Sequence, residues 1–197
     1  MWIDFAKFII KLRRWKYTKF PDLNKAVIIM APHTSIFDFV WGKIYFMAQG
    51  IKPIILIKKE IFIFPLGQIL KKIGGVPVDR GKNTGITETA IEMFKNIENN
   101  FFLVITPEGT RKATKHWKKG FARIAKAANV PIALGYIDYK KHIMGVMDVW
   151  TINEDDNIED FIAKVKKEYI VYSESGLRKN KFITGYETLN KNETTKQ

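Results

Sequence analysis

Short apolar runs alternate along this chain with segments of helical periodicity, and this alternation constrains the fold more than any other feature. Runs of about five β-branched and aliphatic residues are typical of strands buried on both faces. Apolar residues at every third or fourth position are typical of helices that cover such strands. The predicted strands are residues 26–30, 53–57, 76–78, 101–105 and 131–137, with 143–149 as a further candidate. The predicted helices are residues 37–49, 84–98, 119–128 and 156–172.

A strand followed repeatedly by a helix predicts the α/β class, with a mostly parallel central sheet flanked by helices. The chain has 197 residues, of which 46% are hydrophobic, which is enough for one domain with a real core. No internal repeat or linker divides it. We therefore expect a single domain over residues 21–186, an amphipathic helix over residues 1–20, and a polar tail over 187–197 that is disordered.

The N-terminal segment, residues 1–20, combines an apolar stripe with many cations. Large apolar side chains recur there at spacings of three and four, as in an amphipathic helix. They are Trp2, Phe5, Phe8, Ile9, Leu12 and Trp15. A helix with Trp and Phe on one face and Lys and Arg around it suits a membrane interface. The alternative is a terminal helix that packs on the domain and leaves its cations in water.

The charge balance narrows the choice of partners. Lys and Arg number 33 against 20 Asp and Glu, a formal net charge of +13, so we expect an anionic partner. No helix-turn-helix, RNP-type or zinc signature is present, and nucleic acid is therefore not the expected partner. No apolar run approaches the 18 or so residues of a membrane span, and no signal peptide is evident. We expect a cytoplasmic protein associated peripherally with the inner face of the cell membrane.

Two residues after the first predicted strand carry the chemistry of a base. His33 and Asp38 lie five positions apart at a strand-to-helix turn. A carboxylate at that spacing can bind one imidazole nitrogen and orient the ring, which leaves the other nitrogen to accept a proton. The alternative is structural, since Ser35 and Asp38 also have the spacing of a capping box at a helix start.

Two further strand ends carry residues suited to binding phosphate. Gly109 permits a tight turn, and Arg111 offers a bidentate fork for a phosphate group. Arg80 follows the short strand at 76–78. Taken singly, each is equally an exposed turn with a charged rim. Ligands of α/β sheets bind beyond the carboxyl ends of the strands, where these turns and the base would converge.

The residue inventory excludes some mechanisms and sites. The chain has no cysteine, which excludes disulfides, thiolate metal sites and a Cys nucleophile. It also lacks a Gly-x-Ser-x-Gly elbow. A base without a protein nucleophile predicts direct attack by a substrate hydroxyl on an activated electrophile. No metal and no cofactor are expected.

In these motifs the chain resembles the glycerolipid acyltransferase superfamily, typified by 1-acylglycerol-3-phosphate O-acyltransferase. The resemblance spans roughly residues 27–135, with four short blocks in the family's order. The blocks are His33-Thr34-Ser35-Ile36-Phe37-Asp38, Gly74-Gly75-Val76-Pro77-Val78-Asp79-Arg80, Pro107-Glu108-Gly109-Thr110-Arg111 and Val130-Pro131-Ile132. Pro32, where many members have Asn, and the basic stretch after Arg111 depart from the usual pattern.

The resemblance implies a role for each matching residue. His33 would deprotonate the acceptor hydroxyl, and Asp38 would orient His33. The acceptor's phosphate or headgroup would be bound by Arg80, Glu108, Gly109, Thr110 and Arg111. The acyl donor would be a thioester of coenzyme A or of acyl carrier protein, used as a co-substrate. The family also implies an N-terminal element that docks on an anionic membrane surface.

The expected reaction is therefore O-acylation of a lyso-lipid, most directly 1-acyl-sn-glycerol-3-phosphate to phosphatidic acid. Bacterial relatives acylate lyso-aminolipids of the ornithine- or glycine-lipid type, and this acceptor class is the alternative. A non-catalytic, basic membrane-tethering protein is the remaining possibility.

Overall fold

We describe a computed structural model of the chain over residues 2–78, 85–172 and 175–177. Its strands are β1 (Lys16–Tyr17), β2 (Lys25–Met30), β3 (Ile54–Lys58), β4 (Gly75–Val78), β5 (Phe101–Ile105), β6 (Ile132–Asp138) and β7 (Ile143–Trp150). Its helices are α1 (Trp2–Leu12), α2 (Phe37–Ala48), α3 (Leu66–Lys72), α4 (Gly85–Asn96), α5 (Gly120–Ala128) and α6 (Ile158–Glu168). Short 3₁₀ turns span Lys59–Ile61 and Tyr169–Tyr172.

The strands form one sheet in the order β1-β7-β6-β2-β5-β3-β4. The five strands from β6 to β4 are mutually parallel. β7 pairs antiparallel with β6, and β1 pairs parallel with β7. Parallel strands need helical crossovers, which explains why strand and helix signals alternate in the sequence. The expected α/β fold with a mostly parallel sheet is confirmed.

Helices cover both faces of the sheet. On one face, α4, α5 and α6 pack over the strands around Phe94, Phe121 and Val165. On the other face, α1 and α2 pack around Ile10, Tyr45 and Phe46. Because both faces are covered, the central strands are apolar throughout rather than alternating. All seven residues of β6 are buried, for example.

The N-terminal segment differs from its prediction in length. The helix ends at Leu12, and residues 16–17 already pair with the sheet, so residues 13–20 belong to the main fold. Ala6 and Ile10 are buried against the domain, as the packing alternative requires. The opposite face of α1, with Phe5 and Phe8, is exposed, as the interfacial reading requires. The buried face of α1 thus packs on the domain, while contact of its exposed face with a membrane stays a prediction.

Two elements were not predicted, and some predictions lie outside the described residues. Helix α3 and strand β1 are too short for a clear periodic signal. Arg80, the polar tail over 187–197 and the end of the predicted domain near residue 186 lie outside the described residues.

The two edges of the sheet are made by different sets of loops. We call the edge where β2, β3, β5 and β6 end the carboxyl edge. Its described loops are residues 31–36, 59–65, 106–119 and 139–142. The opposite edge, the amino edge, has loops 18–24, 49–53, 97–100, 129–131 and 151–157. No helix in the described part of the chain is long and apolar enough to cross a membrane.

Candidate active site

His33 and Asp38 contact each other at the carboxyl edge. β2 ends at Met30, and the following loop turns into α2, which begins one residue before Asp38. The loop brings Nδ1 of His33 to 3.2 Å from Oδ2 of Asp38, with His33 partly exposed and Asp38 buried. A carboxylate on Nδ1 favours the tautomer with its proton on Nδ1. Nε2 is then the nitrogen able to accept a proton.

The carboxylate of Asp38 also organises the loop that carries His33. Its Oδ2 accepts hydrogen bonds from the backbone N–H groups of Thr34 at 2.7 Å and Ser35 at 2.8 Å. The Ser35 hydroxyl accepts from the N–H of Phe37 at 3.3 Å. Asp38 therefore fills both roles left open by the sequence, because one carboxylate caps the helix start and contacts the imidazole.

Tyr139 is a third partner of Asp38, and the sequence motifs did not identify it. Its hydroxyl donates to Oδ1 of Asp38 at 2.9 Å, across 101 positions of sequence. Burial, and then the negative charge of Asp38, raise the pKa of Tyr139 well above its usual range, so the phenol remains a donor. Its ring packs edge-on against Trp15, with centroids 5.3 Å apart. Only the position of Tyr139 directly after a predicted strand hints at this role.

Glu108 lies beneath the His33 loop instead of on the surface of its turn. It is buried, and its Oε2 accepts a hydrogen bond from the backbone N–H of His33 at 2.9 Å. Burial raises the pKa of Glu108 to about 8, and the charge of Asp38 acts in the same direction. The resemblance places Glu108 among the headgroup-binding residues, whereas its contact in the structure holds the backbone of the base.

The rest of the Pro107–Arg111 block forms a tight turn at the end of β5. Gly109 has φ +63°, in the left-handed region that glycine adopts at little cost. A Cβ at position 109 would lie 2.5 Å from Cε of Lys118, so glycine also makes room for that side chain. Thr110 accepts a hydrogen bond from the N–H of Lys112 at 3.1 Å, and Arg111 is exposed. The turn thus presents Arg111 and Lys118 to solvent beside the buried Glu108.

Residues 175–177 pack against the loop that carries His33. The N–H of Tyr139 donates to the carbonyl of Ser175 at 2.9 Å. A Cβ at Gly176 would lie 2.7 Å from Cγ2 of Thr34, which shows how closely this segment approaches the His33 loop. Residues distant in sequence therefore contact the loop that carries His33 and leads into the helix of Asp38.

The site contains a candidate base, His33, and two buried carboxyl groups that hold its ring and its backbone in place. His33 and Asp38, predicted from their spacing, and Glu108, implied by the family resemblance, are brought together at the carboxyl ends of β2 and β5. Among residues 2–78, 85–172 and 175–177, no three His, Cys, Asp or Glu side chains cluster so as to hold a metal ion. The chemistry available from the described side chains is proton transfer, together with anion binding by nearby Lys and Arg.

Comparison with known proteins identifies the family of the chain. The family described as Acyltransferase matches residues 12–134, which is more than half of the chain. A curated 1-acyl-sn-glycerol-3-phosphate acyltransferase from Cocos nucifera is 31% identical over 114 residues, covering 55% of this chain and 36% of the relative's length. This chain thus matches only about a third of that relative.

A solved structure has a similar fold. The crystal structure of the 1-acyl-sn-glycerophosphate (LPA) acyltransferase PlsC from Thermotoga maritima superposes with a TM-score of 0.58 at 15% sequence identity. The match covers 84% of this chain and 74% of that one. At this level of identity the likeness is one of fold alone.

Proposed function

Because the chain belongs to the acyltransferase family, we propose that it transfers a fatty acyl group from an acyl thioester to the hydroxyl of a lyso-lipid. The proposed acceptor is 1-acyl-sn-glycerol-3-phosphate, and the product is phosphatidic acid. The single observation that carries the proposal is the contact between Nδ1 of His33 and Oδ2 of Asp38. The name of the curated relative supports the same acceptor.

In the proposed mechanism His33 acts as a general base and then as a general acid. Nε2 takes the proton of the acceptor hydroxyl while its oxygen attacks the thioester carbonyl carbon. The carbon–sulfur bond breaks as the new ester forms, and the departing sulfur takes the proton back from the imidazolium. Asp38 stabilises the imidazolium and holds its orientation, since Thr34, Ser35 and Tyr139 fix the carboxylate itself.

The acceptor's phosphate is proposed to bind at the turn after β5. Arg111, with its fork of N–H donors, and the backbone at Gly109 and Thr110 supply the anion site. The resemblance assigns the same role to Arg80, which lies outside the described residues. Glu108 supports this turn by holding the backbone of His33. Coenzyme A and acyl carrier protein are both anionic, so the cations along residues 111–126 suit either thioester carrier.

The protein is proposed to act from an anionic membrane surface at the inner face of the cell membrane. The exposed face of α1 carries Trp2, Phe5, Phe8 and Leu12, and it is flanked by cations such as Lys7 and Lys11. Apolar side chains beside cations favour a bilayer interface with anionic lipid. A membrane-surface site would meet its lyso-lipid where that lipid resides.

A panel of acceptors tests the proposal. Purified protein is mixed with acyl-CoA or acyl carrier protein thioester and with lysophosphatidate, lyso-ornithine lipid or lyso-glycine lipid. We expect thiol release with lysophosphatidate and a phosphatidate product by mass spectrometry. Turnover confined to a lyso-aminolipid would identify that lipid as the acceptor and leave the proposed mechanism unchanged. Absence of thiol release with every donor and acceptor would favour a membrane tether and reject the enzyme.

A further inference from the structure

Two of the three most exposed large apolar side chains that the structure describes outside α1 lie at the tip of the loop after β3. Ile63 is 67% exposed and Phe64 is 81% exposed. Neither is part of the proposed site or of the N-terminal helix. Two adjacent apolar side chains held in water are unfavourable by about 25 cal/mol for each Å² they expose, unless a partner covers them.

The tip is a formed turn. The N–H of Gly67 donates to the carbonyl of Ile63 at 2.7 Å, and the N–H of Phe62 donates to the carbonyl of Lys59 at 3.0 Å. A Cβ at Gly67 would lie 2.6 Å from the carbonyl oxygen of Phe62, so the turn requires glycine there. The backbone therefore holds Ile63 and Phe64 outward in a fixed position.

The position of the tip in the sheet relates it to the site. β3 pairs in parallel with β5, so the tip leaves the same carboxyl edge as Glu108 and the His33 loop. On the other side of the site, Trp15 stacks on His142 of the β6–β7 loop with ring centroids 5.2 Å apart, which brings the end of α1 to this edge. The tip and the end of α1 therefore flank the site from its two sides.

Other exposed apolar side chains share this edge. Ile36 and Phe37 are exposed at the start of α2, immediately beside the candidate catalytic residues. Val171 and Leu177 are exposed at the C-terminal end of the described chain, where Ser175 bonds to Tyr139. In the described part of the chain, the loops of the amino edge contain none of the exposed large hydrophobic side chains.

Charge follows the same division. The described loops of the carboxyl edge contain eight Lys and Arg residues and two glutamates, of which Glu108 is buried. The cations are Lys59, Arg111, Lys112, Lys115, Lys118, Lys119, Lys140 and Lys141. Cations interspersed with exposed apolar side chains complement an anionic bilayer surface, with charge at the headgroups and apolar groups below them.

We propose that the carboxyl edge faces the bilayer and that Ile63 and Phe64 insert into the interface as a second anchor, apart from α1. This inference rests on the proposed function only in that the occupant of the site is a lipid. With the edge against the bilayer, the acceptor hydroxyl reaches His33 without the lipid leaving the membrane.

Single labelled cysteines test this orientation, and the chain has no native cysteine to interfere. Phe64→Cys and the amino-edge control Asn99→Cys are labelled with a polarity-sensitive fluorophore and mixed with vesicles of phosphatidylcholine and phosphatidylglycerol. We expect vesicles to protect the label at position 64 from an aqueous quencher several-fold and to leave the label at 99 unprotected. Equal exposure of the two labels, or equal protection, would overturn the proposed orientation.

A second variant separates docking from chemistry. Ile63→Ser combined with Phe64→Ser is expected to lower turnover of vesicle-borne acceptor about ten-fold or more. Turnover of a short-chain acceptor dissolved as a monomer should stay within about two-fold of wild type. An equal loss with both acceptors would contradict the anchor. Failure of the wild-type protein to acylate either acceptor would reject the proposed function, while the labelling result would still decide the orientation.

Discussion

The two edges of the sheet are built from the same strands and differ in almost every surface property. The carboxyl edge has basic loops, exposed Ile63 and Phe64, and buried polar groups such as Asp38 and Glu108. The amino-edge loops have five acidic residues against two lysines, and their apolar side chains are covered. Loops at the amino edge connect elements. Loops at the carboxyl edge keep costly features that stability alone does not explain, which is expected where function is concentrated.

The largest expected effect is a loss of catalysis when a residue at the carboxyl edge is changed. Asp38→Asn keeps an oxygen for the backbone N–H groups of Thr34 and Ser35 but removes the charge that stabilises the imidazolium. We expect kcat to fall about 10³-fold, as measured by thiol release. An unchanged thermal midpoint serves as the control for folding. If kcat of the variant stays within about three-fold of wild type, the His33–Asp38 pair does not take part in catalysis.

The next effect concerns pH and stability. Burial raises the pKa of Glu108 to about 8, so the folded state holds this proton more tightly than the unfolded chain, whose carboxyl has a pKa near 4.5. The free energy of unfolding should therefore decrease as pH rises from about 4.5 through about 8. Glu108→Gln should remove this decrease. The difference between wild type and variant should change by about 2–4 kcal/mol over that interval in urea unfolding.

Equal pH slopes for wild type and Glu108→Gln would mean that the carboxyl group is hydrated in solution. Glu154→Gln at the amino edge is the matched control. Glu154 is exposed, so we expect this variant to follow the wild-type curve throughout.

The exposed face of α1 gives the third prediction. Phe5→Ser with Phe8→Ser should weaken binding to anionic vesicles about ten-fold or more, because two exposed rings no longer enter the interface. Sedimentation with vesicles measures this. Lys19→Ser with Lys52→Ser at the amino edge removes cations without apolar surface and should change binding less. Undiminished binding of the α1 variant would show that the carboxyl-edge loops, and not α1, make the membrane contact.

Tyr139→Phe gives a smaller effect at the carboxyl edge. Loss of one hydrogen bond to Asp38 should lower kcat about ten-fold and leave KM for both substrates unchanged, since Tyr139 positions the carboxylate and does not bind substrate. Tyr136→Phe, on the buried strand that precedes Tyr139, is the control, with kcat near wild type. A matching change in KM would assign Tyr139 to substrate binding instead.

The smallest effect belongs to the amino edge. Asn129 ends α5 with φ +50°, where a β-branched side chain is strained. Asn129→Val should lower the free energy of unfolding by about 1 kcal/mol and leave kcat unchanged. Loss of activity without loss of stability in this variant would contradict the division of roles between the edges.

Local signals predicted much of the fold and part of the site. Buried strands such as β2 and β5 are visible as apolar runs, and strand-end reasoning identified His33 after β2. Glu108, after β5, was implied only by the family resemblance. The role of Glu108 was not predictable, because its partner is the backbone of a residue 75 positions away. Tyr139 was missed for the same reason. The order of strands in the sheet decides which loops become neighbours, and no local pattern encodes that order.

The antiparallel β7 and the exposed tip illustrate the same limit. The candidate strand at 143–149 is confirmed, but its direction depends on the short turn at residues 139–142. The hydrophobicity of residues 61–64 is equally typical of a core segment. Only the folded chain shows that Ile63 and Phe64 point away from it.

His33 is proposed to be the base for acyl transfer at the carboxyl edge. Thiol release from an acyl thioester with lysophosphatidate, measured for wild type and for His33→Ala, tests it most directly. We predict release with wild type and a loss of about 10³-fold or more in the variant, with an unchanged thermal midpoint. Undiminished release by folded His33→Ala would contradict the claim.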